Sequence, residues 1–378
     1  MVLFEDARAG DFRPLTDLRS VADLLWGGRS LRERWAGLDV GAGRDGGAGV
    51  LAVNARLIAG EAVAERLRGL EAGTAIRSGK QWVAMRLSEG AAVLEGGAGR
   101  NGGAVDWAKA GEGLACEDWT EAPMLGSPND LYSRLDVAIQ EDLEAMIEAW
   151  GCVAGGKPGV WVAAGSEIEE AAVLDVRGGP IVLGPGATVQ AGALLRGPVV
   201  IDAGSTVSMG TVIYGPTAIG PHCKVGGELN RVNMQGYSNK GHHGYLGDSV
   251  IGRWCNLGAG TTCSNLKNNY GEVKQWRHST RELEPTGLQF CGLIMGDHSK
   301  CGIGTVFNTG TVIGTACVLF EVGFPPKHLP NFSWYNARTA ERTPHEFPKM
   351  LATAEHVMAR RGWVLGDEER LALTKLSE

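Results

Sequence analysis

From Leu183 onward, every sixth residue is aliphatic: Leu183, Val189, Leu195, Ile201, Val207, Ile213, Ile219 and Val225. Four residues after each of the first seven stands a small or compact side chain: Ala187, Ala193, Val199, Ser205, Thr211, Thr217 and Cys223. A six-residue period fits neither an α-helix nor a flat strand. It fits a triangular coil whose sides are short strands. The aliphatic points inward, the compact residue lets the chain turn, and successive coils stack in parallel on one core. The series resumes at Ile251 and Leu257, then at Met295, Cys301, Phe307, Ile313 and Leu319, with Ser299, Thr305, Thr311 and Cys317 in the compact positions. A parallel β-helix is therefore expected over 173–325. The 57 glycines lack the three-residue period of collagen and read as turns.

Residues 1–150 carry a different pattern. Met1–Phe4, Val50–Leu57 and Trp82–Leu87 read as strands, and Ser20–Trp35, broken near Gly27-Gly28, and Glu61–Leu70 as helical. Ser127–Trp150 has Leu131, Leu135, Ile139 and Leu143 at four-residue steps, an amphipathic helical stretch. This alternation predicts an α/β domain. Glycine runs at 41–49 and 95–103 read as loops, and neither has the Gly-Lys-Ser/Thr ending of a phosphate-binding loop. Residues 151–172 are expected to be a linker. A helical tail is expected over 326–378, with Phe347, Met350, Leu351, Ala354, Val357 and Met358 on one face.

The net charge of −7 opposes nucleic acid as a bulk partner. The apolar run from Pro180 to Ile201 is broken by Gly, Pro and Arg196, so no membrane span is expected, and the first residues lack the basic start of a signal peptide. Eight cysteines without CxxC spacing read as reduced thiols in a cytoplasmic protein with no metal site. Two polar segments, Gly227–Gly244 and Cys263–Gly292, interrupt the repeat. Such excursions from a solenoid are where binding chemistry is expected.

The first interruption leads into Lys240-Gly241-His242-His243-Gly244-Tyr245-Leu246-Gly247-Asp248, followed by Asn256-Leu257-Gly258-Ala259-Gly260-Thr261 and Ser264-Asn265. These segments resemble the bifunctional N-acetylglucosamine-1-phosphate uridyltransferase / glucosamine-1-phosphate acetyltransferase family. Its acetyltransferase domain has Lys-Ala-Gly-His-Leu-Thr-Tyr-Leu-Gly-Asp, then Asn-Ile-Gly-Ala-Gly-Thr and Cys-Asn. The longer variant here looks like an alternative bacterial branch. The resemblance implies a left-handed β-helix, acetyl-CoA as co-substrate, an amino-sugar phosphate as acceptor and a homotrimer with CoA between neighbouring prisms.

Anchored on Tyr245-Leu246-Gly247-Asp248, the resemblance places the catalytic base at His242, with His243 the alternative one residue on. A sugar amine is partly protonated at neutral pH, and an imidazole takes a proton in that range. The backbone N–H of Ala259 is implied as an oxyanion donor. Asn265, Tyr245 and Asn256 match positions that contact the amine or sugar phosphate, and Gly302 matches a CoA-binding position. Arg231, Lys240 and Lys267 are the basic residues nearest in sequence to the family's phosphate contacts, which do not align cleanly. The start of the chain lacks the Gly-x-Gly-Thr-Arg-Met loop of related nucleotidyltransferases. It resembles the divergent sugar nucleotidyltransferase domain of the alternative branch, making a UDP-N-acetylglucosamine-type product from UTP or dTTP with Mg²⁺. Arg8 and Arg13 are its candidate nucleotide-phosphate ligands.

Three other readings stand beside this one. The acceptor is a different sugar or sugar nucleotide; the β-helix is a non-enzymatic scaffold; or His222, His242 and His243 hold a metal on the same fold.

Overall fold

The computed structural model describes residues 1–40, 49–88 and 106–378. The glycine run 95–103, and 41–48 of the other, lie outside the described residues. The chain divides into two compact units. The first comprises 1–10, 20–24 and 30–126, and the second 11–19, 25–29 and 127–378.

The first unit is α/β. Its five-stranded sheet runs in the order Val2–Phe4, Gly49–Asn54, Gln81–Ser88, Thr74–Ser78, Ala115–Asp118. Val2–Phe4 is parallel to Gly49–Asn54, and Gln81–Ser88 is antiparallel to both of its neighbours. Leu31–Ala36 is a short helix opened by a capping box, with Ser30 and Glu33 satisfying each other's backbone amides. Trp35, Leu51, Val53, Leu67, Ile76 and Val83 share one core with the helix Glu61–Arg68. The helical reading of Ser20–Trp35 holds only for this last turn and a half. Val21–Asp23 is a 3-10 turn, and Leu25–Trp26 and Arg29–Ser30 form a two-stranded ribbon, since Gly27, at φ 85, turns the chain back.

The first unit ends at Gly126 rather than at 150. The amphipathic stretch forms helices Asp130–Ser133 and Leu135–Trp150. Its apolar residues Leu135, Ala138, Ile139 and Met146 are buried, and the longer helix packs on the strand Thr217–Ile219. Burial of that stripe assigns the helix to the second unit.

The second unit is a parallel β-solenoid of about ten turns. Leu183 pairs with Ile201 and Ile201 with Ile219, and Val189 pairs with Val207 and Val207 with Val225, each step being three hexapeptides. None of the eight aliphatics is more than 1% exposed, and none of the seven compact residues more than 2%. A fully buried aliphatic contributes roughly 1.5–3 kcal/mol relative to exposure, so this column accounts for the rod. The compact polar positions also bond along it: Ser205 Oγ donates to Gly220 O at 2.8 Å and accepts from Cys223 N–H at 2.8 Å. Six of the eight cysteines are buried, and all eight are free thiols. The segment expected to be a linker already belongs to the coil. Val160–Val162 pairs with Ile181–Leu183, and Glu167–Ile168 with Thr188–Val189.

The two interruptions differ in kind. Glu228–Met234 pairs in continuous register with Tyr245–Ile251, Glu228 opposite Tyr245 and Met234 opposite Ile251. The coil therefore continues through 227–244, and only the phase of the repeat slips. The second interruption leaves the rod: Lys274–Arg277 and Glu282–Pro285 form an antiparallel hairpin. Gly292 closes this excursion under tight constraint, because a Cβ there would lie 2.0 Å from Gly247 O and 2.5 Å from Ser249 Oγ. Gly292→Ala is expected to destabilise the protein by about 1–3 kcal/mol, read as a lower unfolding midpoint in urea. An unchanged midpoint would show that the coil relaxes there freely.

Beyond the last coil, Ser333–Asn336 and Glu341–Pro344 form a hairpin before helices Phe347–Ala359 and Asp367–Ser377. The helical tail thus starts at 347, not 326. Met350, Ala354, Met358 and Leu373 share a cluster with Trp254 and Ala316. No helix among the described residues is long and apolar enough to cross a membrane.

Candidate functional site

The slipped coil creates the most polar corner of the rod. Arg231 lies between the pairs Asn230–Gly247 and Val232–Ser249, which stacks it over Asp248. Both residues take left-handed backbone angles, φ 54 and φ 48. Such angles are uncommon for residues other than glycine. Arg231 Nε lies 2.6 Å from Asp248 Oδ1 as an ion pair, without the alignment of a hydrogen bond. Asn265 Nδ2 donates to Asp248 Oδ2 at 2.5 Å and to Tyr245 Oη at 2.9 Å. Arg231 also lies over the Phe290 ring, 5.2 Å from its centroid. Burial pushes the Asp248 carboxyl up, with Asn265 and Arg231 pulling it back. Burial pushes the Tyr245 hydroxyl up to about 12, so it is a neutral donor at physiological pH. The corner is thus a fixed network, Arg231–Asp248–Asn265–Tyr245.

His242 and His243 are both exposed in the turn between Asn239–Lys240 and Tyr245–Ile251. They are held differently. His243 O accepts from Gly260 N–H at 3.1 Å, and a Cβ on Gly260 would lie 3.5 Å from His243 Nε2, so that ring packs over the next coil. His242 O accepts from Lys240 Nζ at 2.9 Å. On the coil beneath, Gly258 N–H bonds to Cys301 O and Ala259 O accepts from Gly304 N–H. Among the described residues nothing accepts from Ala259 N–H.

Lys240 points inward and is 1% exposed. Its ammonium donates to Gly226 O at 3.0 Å as well as to His242 O. Burial lowers its pKa from the ordinary 10.5 to about 8. It does not present a charge to a phosphate, because the interior of the rod leaves the chain no other way to run from strand to turn. Arg231 is committed to Asp248 in the same way.

The remaining expected site residues are dispersed. Asn256 stands on the ten-stranded sheet and Tyr245 on the thirteen-stranded one, two different faces of the solenoid. Asn256 Oδ1 accepts from Asn239 Nδ2 at 2.8 Å. Lys267 Nζ donates to Glu272 O at 2.6 Å within the excursion. Gly302 N–H bonds to Leu319 O at 2.9 Å. Arg8 belongs to the first unit, where its amide bonds Asp6 at 3.1 Å. Arg13 belongs to the second unit, 3.6 Å from Asp17. His222 stacks on Tyr237 at 5.4 Å, and among the described residues no group of three or more His, Cys, Asp or Glu is placed to hold a metal. Asp248 stood within the quoted string, yet only its burial shows that it organises the corner.

In the first unit Arg56 is a buried charge, 1% exposed. Its Nη2 donates to Asp6 Oδ2 at 2.6 Å and its Nη1 to Leu125 O at 2.7 Å, while Asn54 Nδ2 donates to Asp6 at 3.1 Å. Burial raises the Asp6 carboxyl, but hydrogen bonding to Arg56 and its charge outweigh this and hold it below the usual range.

Residues 1–39 and 41–149 match the family model described as Sugar nucleotidyl transferase. The chain is 36% identical over 76 residues to Bifunctional protein GlmU of Methanocaldococcus jannaschii, covering 20% of this chain and 18% of that protein. It is 33% identical over 98 residues to Bifunctional protein GlmU of Trichodesmium erythraeum, covering 25% of this chain and 17% of that protein. The matches therefore span less than a fifth of those relatives' length. Among solved structures, the chain is similar to AntD, an N-acyltransferase from Bacillus cereus in complex with dTDP and 3-hydroxybutyryl-CoA. There the identity is 13% and the TM-score 0.25, covering 54% of this chain and 89% of that one. The N-terminal stretch thus matches the sugar nucleotidyl transferase family, and the chain is similar to the bifunctional GlmU proteins.

Proposed function

We propose that the second unit transfers an acetyl group from acetyl-CoA to the amine of an amino-sugar phosphate of the glucosamine-1-phosphate type, and that the first serves sugar nucleotidyl transfer. The observation that carries the acetyl-transfer reading is the turn at 241–244. It exposes the His242 imidazole in the turn that leads into Tyr245, whose hydroxyl belongs to the rigid Tyr245–Asn265–Asp248 network, and the same turn bonds to the coil that carries the unpartnered Ala259 N–H. His242 takes the proton of the attacking amine, nitrogen bonds to the thioester carbon, and the carbonyl electron pair becomes an oxyanion. Ala259 N–H donates to that oxyanion, which collapses to the amide as the protonated His242 returns its proton to the leaving sulfur, releasing CoA as thiol. The proposal includes a homotrimer in which neighbouring prisms complete the CoA site.

The nucleotidyl reading draws on the family match over 1–39 and 41–149. A triphosphate would bring Mg²⁺. Asp6, just after the first strand, is already neutralised by Arg56 and so is not a ready ligand for the ion. Arg8 remains its candidate phosphate ligand.

Lys240 acts in this scheme as a positioning residue, holding the His242 carbonyl from inside the rod. Lys240→Met is expected to lower kcat at least tenfold with KM little changed, while folding stability at pH 7 shifts by less than about 1.5 kcal/mol. The pH dependence gives a second readout. A lysine whose folded pKa is depressed binds fewer protons folded than unfolded between the two values. Wild-type stability should therefore rise from about pH 8 towards pH 10.5, and the methionine variant should lack that rise. Equal kcat in the two proteins would remove Lys240 from the scheme.

The proposal is tested with purified protein, acetyl-CoA and a panel of amines that includes glucosamine-1-phosphate, following free thiol. Thiol release that depends on an amino-sugar phosphate supports it. Release with a different amino sugar moves the acceptor, and no release with any amine rejects acetyl transfer.

A further inference from the structure

A cavity of about 510 Å³ lies between the solenoid and the end of the helix Phe347–Ala359, a volume suited to a small molecule. Asn239, Asn256 and Lys300 stand side by side on successive strands of the ten-stranded sheet and face it. Tyr237 and Trp254 form an aromatic wall, their rings stacked at 4.4 Å. Arg360 and Arg361, following the helix Phe347–Ala359, complete the lining.

The charge of this lining is one-sided. It holds three cations and two amides and no carboxylate, in a chain whose net charge is −7. Lys300 is fixed by donating to His298 O at 2.9 Å. Arg361 is anchored by Nη1 donating to His222 O at 2.6 Å and lies 6.0 Å from the Trp254 ring centroid. The Arg360 guanidinium has no hydrogen bond or ion pair among the described residues, only the backbone N–H bonding to the helix end. Two carboxylates of the same tail are engaged elsewhere, Glu355 by Arg370 and Glu369 by His298. Like charges gathered around one space repel unless an anion joins them, and guanidinium groups match phosphate oxygens in shape.

We propose that this cavity binds the phosphate group of a small phosphate ester, with Arg360 and Arg361 as its principal ligands and Lys300 as the charge behind them. The tail helix thereby supplies the cations that Lys240 and Arg231, turned inward or paired, do not. The ester is a sugar 1-phosphate or coenzyme A, which share this chemistry. The assignment does not depend on acetyl transfer, because binding is read without turnover.

The test is calorimetric titration of the full-length protein with inorganic pyrophosphate, then competition by glucosamine-1-phosphate and by coenzyme A. Pyrophosphate should bind the wild type, and Arg360→Ala and Arg361→Ala should each weaken it at least tenfold. Arg360→Ala removes no side-chain hydrogen bond or ion pair among the described residues, so its fold is expected to be preserved even where Arg361→Ala loosens the tail. Displacement by one competitor identifies the ester. Wild-type affinity in both variants, or displacement by neither competitor, overturns the assignment.

Discussion

His242→Ala lowers kcat for acetyl transfer by roughly 10²–10⁴-fold, the range expected for removing a positioned general base. His243→Ala, one residue on, lowers it by less than about tenfold, since that ring packs over Gly260. Neither change should shift folding stability by more than about 0.5 kcal/mol, because both imidazoles are exposed. If the two losses were reversed, the base would be His243 and the register of the turn misassigned. If both variants kept wild-type rates, the turn would carry no proton transfer.

The second large effect falls on stability. Arg231→Leu leaves Asp248, 1% exposed, without its cation. Breaking a buried pair from one side costs about 3–5 kcal/mol, and the 35% exposure of Arg231 brings the expectation down to about 2–4 kcal/mol. The variant has an escape: Asp248 can take up a proton. Its folded carboxyl is already raised by burial and rises further without Arg231. A carboxyl with a raised folded pKa binds more protons folded than unfolded, so stability falls as pH climbs above the ordinary carboxylate range. The deficit should therefore be larger at pH 8 than at pH 5. Adding Asp248→Asn should recover most of it, since asparagine tolerates the left-handed backbone and has no charge to bury. Urea unfolding of the single and double variants at both pH values reads this directly. A deficit independent of pH, or no recovery in the double variant, would show that packing rather than charge dominates the corner.

The rod was legible in the sequence because its periodic signal is redundant. Each aliphatic from Leu183 to Val225 sits over another three hexapeptides away, so one pattern states both the strand and its partner. Coil boundaries were less legible. Val160–Val162 and Glu167–Ile168 join the stack, but their coil lacks the full aliphatic series and read as linker. The slip at 227–244 looked like a loop because one shortened coil resets the phase, while backbone pairing ignores phase as long as Arg231 and Asp248 turn the corner. At the site, residue types were visible but side-chain direction was not. Lys240 follows Asn239 on a strand, and strict alternation turns one inward and the other outward. That alternation makes Lys240 a buried support, whereas its position in the motif suggested a phosphate contact. Arg360 and Arg361 had no signal at all. They follow a helix far along the chain, and only the fold brings them to Trp254.

The central claim is that the turn at 241–244 hands an amine to an acetyl thioester. Mass spectrometry of glucosamine-1-phosphate after incubation with acetyl-CoA and the protein measures this at the product. The account predicts that the sugar phosphate gains one acetyl group on nitrogen, and that it does not do so with His242→Ala. An unchanged sugar phosphate beside folded wild-type protein would contradict it.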